Sequence, residues 1–321
     1  GPAGLAAALY AARAGLCPLV VAPPVGGQLM AKGVDVENYP GLTRAHGSSI
    51  IQDMRAQAAI FSARFQDGSV ASVDLQARPL ALHLNDTSGE GAAVLRTEAL
   101  IVATGADSRW LGARGEQELR GAGVSTCAVC DGYLYRGRRC VVVGGGDTAM
   151  EEALFLARIC ASVAVVHRRG EFRASQALQA RVLDHPSVMV HWHCQVDEFL
   201  GEQQREAEGG VSPRLVGLLL SDTQTGGITR MPADGCFVAI GQDPNTRYLQ
   251  GQVRMDAGTG YLETIGRSTH TSVPGVFAAG DVADPAYRQA VTAAGSGAAA
   301  ALDAERWLSL QSRGGPSSAR A

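Results

Sequence analysis

Two hydrophobic periods alternate along this chain. Residues 2–15 of "GPAGLAAALYAARAG" carry small apolar positions at helical spacing and predict a helix, and "CPLVVA" at 17–22 predicts a strand after it. The stretch containing "VGGQL" and "VENYPG" predicts a loop, and residues 48–64 return to helical spacing. Runs at 68–75, 79–84 and 98–103 predict strands, the last ending in "ATG". After a charged connector at 107–122 and the octet "STCAVCDG" at 125–132, "RRCVVVGGGDTAMEEALFLARI" predicts strand, glycine turn and helix. Then come strand "SVAVVHRR", helix 174–184, strand 188–192, an alternating segment at 196–232 with the hairpin signal "TQTGG", and buried strand "CFVAIG" at 236–241. "GVFAAGD" at 275–281 predicts the last strand, a helix from Arg288 to about Leu308 follows, and the tail 311–321 has the composition of a disordered linker. Strands alternating with helices imply an α/β protein with parallel sheets.

Composition narrows this outline. With 321 residues the chain is about two domains long, and 28 basic against 31 acidic residues leave a net charge of −3, which offers nothing to nucleic acid or an anionic membrane. No apolar run reaches membrane-spanning length, and no charged-then-apolar leader precedes the first element. Seven cysteines make an odd number with a single close pair, which argues against a secreted disulfide framework and for a reducing compartment.

Two glycine turns stand at strand-to-helix junctions. Gly144, Gly145, Gly146, Asp147, Thr148 and Ala149 match G-x-G-x-x-A after Val141 to Val143, the arrangement that lets a pyrophosphate sit on a helix N-terminus. About twenty residues on, an NAD site would carry an acid for the ribose hydroxyls. Here stand His167, Arg168 and Arg169, with Arg173 a turn later, which suits the 2′-phosphate of NADPH; the competing reading is a solvated basic turn. In the first unit Gly1-Pro2-Ala3-Gly4 matches the last four positions of G-x-G-x-x-G, with the preceding glycine and strand absent. The acid expected at 21–24 is replaced by Ala22, Pro23 and Pro24, and Asp281, after the last strand, is either a ribityl or ribose ligand or a helix cap.

The pair Cys127 and Cys130 fits a metal site, a structural staple or a redox dithiol. Zinc requires a second pair of ligands, for which His191 and His193 in "VHWHC", sharing a strand face, are the candidates. A staple closing so short a loop adds little stability.

Nine collinear stretches ("GPAG", "GGQL", "VENYPG", "ATGA", "CAVCDG", "GGGDTAMEEA", "HRRGEFRAS", "GVFAAGDV" and "YRQAVTAAGSG") resemble the low-molecular-weight NADPH-dependent thioredoxin reductases over residues 1 to about 310. The resemblance implies two Rossmann-like domains: an FAD domain split into 1–110 and 241–310 and lacking its first strand, and an inserted NADPH domain at 111–240 carrying the dithiol. It places FAD against Gly1, Pro2, Ala3, Gly26, Gly27, Gln28, Leu29, Asn38, Thr104, Gly105, Gly280, Asp281, Arg288, Gln289 and Ala290. It makes Cys130 the flavin-facing sulfur, Cys127 the thiol that attacks thioredoxin, and Asp131 the acid or base. It further implies a cytoplasmic homodimer whose domains rotate about hinges near 106–115 and 238–245. The alternatives are a reductase domain with thioredoxin fused behind it, a dithiol oxidase of the same fold, which has less use for "HRRGEFR", and an inactive truncated fragment.

Overall fold

The structure, a computed structural model, describes residues 1–24, 26–31, 35–85, 93–205 and 210–314. The chain divides into two compact units, residues 1–107 with 243–321 and residues 108–242, and passes between them twice.

The second unit is built on a five-stranded parallel sheet in the order Val124–Ser125, Gly235–Ala239, Arg139–Gly144, Ser162–Val166, Val188–His191. Val142 and Phe237, paired across neighbouring strands, are fully buried, as expected of a parallel sheet covered on both faces. From the central strand Arg139–Gly144 the chain winds outward to Ser162–Val166 and Val188–His191, and later returns on the other side as Gly235–Ala239. The glycine turn therefore leaves the sheet at its topological switch point, where crevices for ligands form. Helix Asp147–Leu156 covers one face through Ala149, Met150, Ala153 and Leu156. Strands Cys194–Arg205, Val211–Asp222 and Ile228–Pro232 form an antiparallel layer whose Leu215, Leu218 and Leu220 pack with Val141 and Val166.

In the first unit helix Pro2–Arg13 buries seven apolar residues, six of them alanines. It lies against the closing helix Ala290–Gly314 so closely that a Cβ on Gly297 would come within 2.1 Å of the Ala3 carbonyl oxygen. Only small residues permit that approach, which accounts for the alanine-rich sequence of both helices. Leu19–Ala22 pairs in parallel with Arg64–Asp67, and Val276–Ala278 with Leu100–Val102. Val70–Asp74, Leu80–Leu84 and Val94–Thr97 form an antiparallel meander.

Three expectations change. The helix expected over 48–64 ends at Ile60, and Arg64–Asp67 is a strand. Ser62 has φ 69° and breaks the helix, after which pairing with Leu19–Ala22 overrides a polar four-residue stretch with no strand pattern of its own. The closing helix runs to Gly314, so Gln311 to Gly314, expected in a disordered tail, are helical; the remainder of that tail, 315–321, lies outside the described residues. His191 ends its strand while His193 sits in the following turn with φ 54°, so the two do not share a strand face. Among the described residues no group of three or more His, Cys, Asp or Glu is placed to hold a metal ion.

Candidate active site

Cys127 and Cys130 are joined as a disulfide with Cα atoms 5.3 Å apart. Cys127 has extended backbone and caps helix Ala128–Asp131, which places its sulfur over the first turn: the Cys130 N–H donates to Cys127 Sγ at 3.2 Å. An amide aimed at that sulfur favours negative charge there once the disulfide opens. Both cysteines are half-buried, with part of each residue open to water.

Asp131 lies beneath them, buried, and accepts a hydrogen bond from the buried Ser125 hydroxyl. The same Ser125 oxygen accepts from the Cys127 N–H at 3.1 Å. The first amide of the short helix, on Ala128, donates to the Glu152 carboxylate at 3.2 Å, across to helix Asp147–Leu156. Gly132 lets the octet press on that helix, since a Cβ there would meet Leu156 Cδ2 at 2.9 Å. The Tyr135 hydroxyl is pushed up to about 12 by burial first and by the Asp131 carboxylate second. Ser125 and Glu152 were not singled out in the sequence, though Glu152 carried a signal: an acid in line with Ala149, Ala153 and Leu156 on the buried face of a helix.

The glycine turn is shaped by what surrounds it. A Cβ on Gly144 would reach the Ala239 carbonyl oxygen at 2.3 Å, and one on Gly145 would enter the His167 ring at 2.2 Å. Around Gly146 there is open space. Gly146 caps helix Asp147–Leu156 without a side-chain bond, which leaves first-turn amides for an incoming anion. The loop behind is clipped to the turn, because the Arg173 and Ala174 N–H groups donate to the Gly145 carbonyl at 2.8 and 3.2 Å and Ser175 N–H to Asp147 Oδ1 at 2.6 Å. Arg168, Arg169 and Arg173 are exposed around it. His167 is not: it is buried against Gly145, donates from Nε2 to the Glu171 carbonyl at 2.9 Å and lies beside Phe172. Burial lowers its pKa, which keeps the ring neutral.

The residues assigned to the flavin gather within the first unit. Gly26 and Gly27 have φ 68° and 83°, left-handed values that glycine tolerates, and a Cβ on Gly27 would meet Gly1 Cα at 3.3 Å. Helix Pro2–Arg13 is capped by Gly1 with no side-chain bond, the counterpart of the Gly146 terminus. Gln28 Nε2 donates to the Ala106 carbonyl, and Leu29 backs onto Gly47. Asn38 Nδ2 donates to Gln289 Oε1 at 3.3 Å, joining segments 251 positions apart. Gly280 (φ 74°) sits against Ala3, and Asp281 follows in a short 3-10 turn. Arg288 has φ 50° just before the closing helix, which starts at Ala290. Thr104 and Gly105 are clasped by Asn245, a residue outside the expected set: Thr104 Oγ1 donates to its carbonyl at 2.8 Å, and its N–H donates to the Gly105 carbonyl at 2.9 Å.

A nucleotide-type glycine turn at a sheet's switch point, together with a vicinal disulfide in the same unit, defines the nucleotide-dependent disulfide oxidoreductases as a class. The family model for pyridine nucleotide-disulphide oxidoreductases matches residues 1–297. The thioredoxin reductase of Streptomyces clavuligerus is 47% identical over 96% of this chain and 91% of its own length. The bifunctional thioredoxin reductase/thioredoxin of Mycobacterium leprae is 46% identical over 96% of this chain and 64% of its own length. The solved thioredoxin reductase from Giardia duodenalis superposes with a TM-score of 0.88 at 38% identity, covering 96% of both chains. The chain belongs to the pyridine nucleotide-disulphide oxidoreductase family, on its thioredoxin reductase branch, and is an NADPH-dependent enzyme with FAD as its cofactor.

Proposed function

We propose that this enzyme passes electrons from NADPH to the disulfide of thioredoxin through the Cys127–Cys130 dithiol, with FAD held by residues 1–110 and 241–310 and NADPH by 111–240. The observation that carries the reading is the half-buried disulfide, with an amide on Cys127 Sγ and a buried carboxylate behind it. Both cofactors fit the termini meant for them, since Gly1 and Gly146 each open a helix with no competing side-chain cap. Gly144 to Thr148 would take the NADPH pyrophosphate, and Arg168, Arg169 and Arg173 its 2′-phosphate. Gly1 to Ala3, Gly26 to Leu29, Asn38, Gln289 and Asp281 would hold FAD. Bound FAD supplies two-electron transfer between nicotinamide and disulfide.

The thiol steps fall to this chain. Once reduced, Cys127 attacks one sulfur of the thioredoxin disulfide, forming a mixed disulfide and releasing the partner's other sulfur as thiolate. Cys130 then attacks Cys127 Sγ, the mixed disulfide breaks, and the Cys127–Cys130 bond returns as the partner leaves as a dithiol. Asp131, fixed by Ser125, exchanges the protons of these steps. We further propose that the enzyme works as a homodimer in the cytoplasm. No helix among the described residues is long and apolar enough to cross a membrane, and five free thiols accord with a reducing compartment.

Visible absorption of the purified chain under anaerobic NADPH, followed by thioredoxin turnover, tests the reading. A flavin band bleached by NADPH and not by NADH, with turnover on thioredoxin, supports it. A chain that stays colourless after reconstitution with FAD, or one that bleaches without reducing thioredoxin, overturns it.

A further inference from the structure

The sulfurs of Cys140 and Cys160 lie 3.4 Å apart in the second unit. Cys140 is the second residue of strand Arg139–Gly144 and is 2% exposed, whereas Cys160 is half-buried in the turn after helix Asp147–Leu156. Two backbone bonds lock that turn onto the strand entry, Gly137 N–H to the Ile159 carbonyl at 2.8 Å and Ala161 N–H to the Arg138 carbonyl at 2.9 Å, and a third, Cys160 N–H to the Leu156 carbonyl at 2.8 Å, ties Cys160 to the end of its own helix. The sulfurs are thus held side by side by the backbone, and the gap to a bond of about 2.05 Å is small.

We infer that Cys140 and Cys160 form a second, reversible disulfide, separate from the catalytic one, when the enzyme meets a hydroperoxide. One member reaches solvent and the other does not, as an attacking and a resolving thiol require. Cys160 attacks the peroxide; the O–O bond breaks, leaving Cys160 as a sulfenic acid and releasing the first water (or alcohol). Cys140 then attacks the sulfenic sulfur, the S–O bond breaks, and the hydroxyl leaves as water with the Cys140 proton. Two thiols and one hydroperoxide become one disulfide and two small neutral products. The hydrogen bond between the two sulfurs lowers the pKa of Cys160 and, together with burial, raises that of Cys140, the polarity this order needs.

The bond would join the start of the strand leading into the glycine turn to the end of the helix leaving it. It staples this strand–turn–helix at the end opposite Gly144 to Gly146, so the nucleotide turn is left in place.

The test is tryptic mapping of the FAD-loaded full chain, without reduction, after a few equivalents of hydrogen peroxide. Trypsin separates the two residues, Cys140 in peptide 140–158 and Cys160 in peptide 159–168, while Cys127 and Cys130 stay together in 121–136. The expected result is a 140–158/159–168 pair lighter by two hydrogens, loss of two of the five free thiols, and reversal by dithiothreitol. The melting temperature of the oxidised chain rises by a few degrees relative to the reduced chain, as loop closure predicts, and Cys160→Ser abolishes that rise. If both thiols stay free, or Cys160 advances to sulfinic acid without the linked pair, the inference fails. The peptide map of the parent chain decides the matter even if the variant does not fold.

Discussion

The Ser125 hydroxyl donates to the Asp131 carboxylate while its oxygen accepts the Cys127 amide, so one buried hydroxyl ties the proposed proton-exchanging group to the cysteine proposed to attack thioredoxin. Ser125→Ala leaves a buried carboxylate short of a donor. The variant should lose roughly 1.5–3 kcal/mol of stability in denaturant titration, the cost of removing a hydrogen bond to a buried charge. An unchanged midpoint and slope would show that water replaces the hydroxyl.

Asp131→Asn keeps the shape and removes the proton site. Thioredoxin turnover should fall, but by less than the ~10²-fold at the lower end of general acid–base catalysis, because the half-buried sulfurs let water share the transfer. The free-thiol titre after NADPH reduction should match the parent's. A variant with full turnover would remove Asp131 from the mechanism.

Cys127→Ser and Cys130→Ser should each abolish thioredoxin reduction and spare NADPH-dependent bleaching of the flavin. Mixing each single variant with a thioredoxin that lacks its resolving cysteine and whose remaining thiol is activated as a disulfide with thionitrobenzoate, the leaving thiolate, separates the roles. A stable mixed disulfide is expected with Cys130→Ser and not with Cys127→Ser; the reverse would exchange the two assignments.

Arg168 and Arg169 are exposed beside the glycine turn. Replacing both by alanine should raise KM for NADPH about 10- to 100-fold, the worth of one charge-assisted phosphate contact, and leave KM for NADH alone. Equal losses with both nucleotides would mean that the arginines support the loop and do not read the 2′-phosphate.

His167 supplies a pH signature. Its folded pKa lies below the ordinary 6.5 because burial disfavours the charged ring, so the unfolded chain binds the extra proton first. Its contribution is therefore fully present above about pH 6.5 and is lost as pH falls toward the folded value. Melting temperature should drop from pH 7 to 5, and His167→Asn should flatten that slope in part, since half-buried His191 is shifted the same way. An unaltered slope would assign the effect to other groups.

What the sequence by itself determined is local. The cysteine pair, the Gly144 to Gly146 turn and the arginines after the next strand are spaced by covalent geometry and helix or strand period, so they could be read as chemistry before any fold was known. The tertiary structure decided everything that depends on distant segments meeting. Arg64–Asp67 became a strand because Leu19–Ala22 offered it a ladder, not because of its own residues. His167 stands in the basic cluster in sequence, yet it packs under Gly145, leaving the arginines alone in solvent. Asn38 meets Gln289, Glu152 receives the amide after Cys127, and Cys160 settles beside Cys140 through hydrogen bonds and close packing that no period encodes. Local spacing limits which groups a segment can present; which partner each group finds is set by the free energy of the whole packed chain.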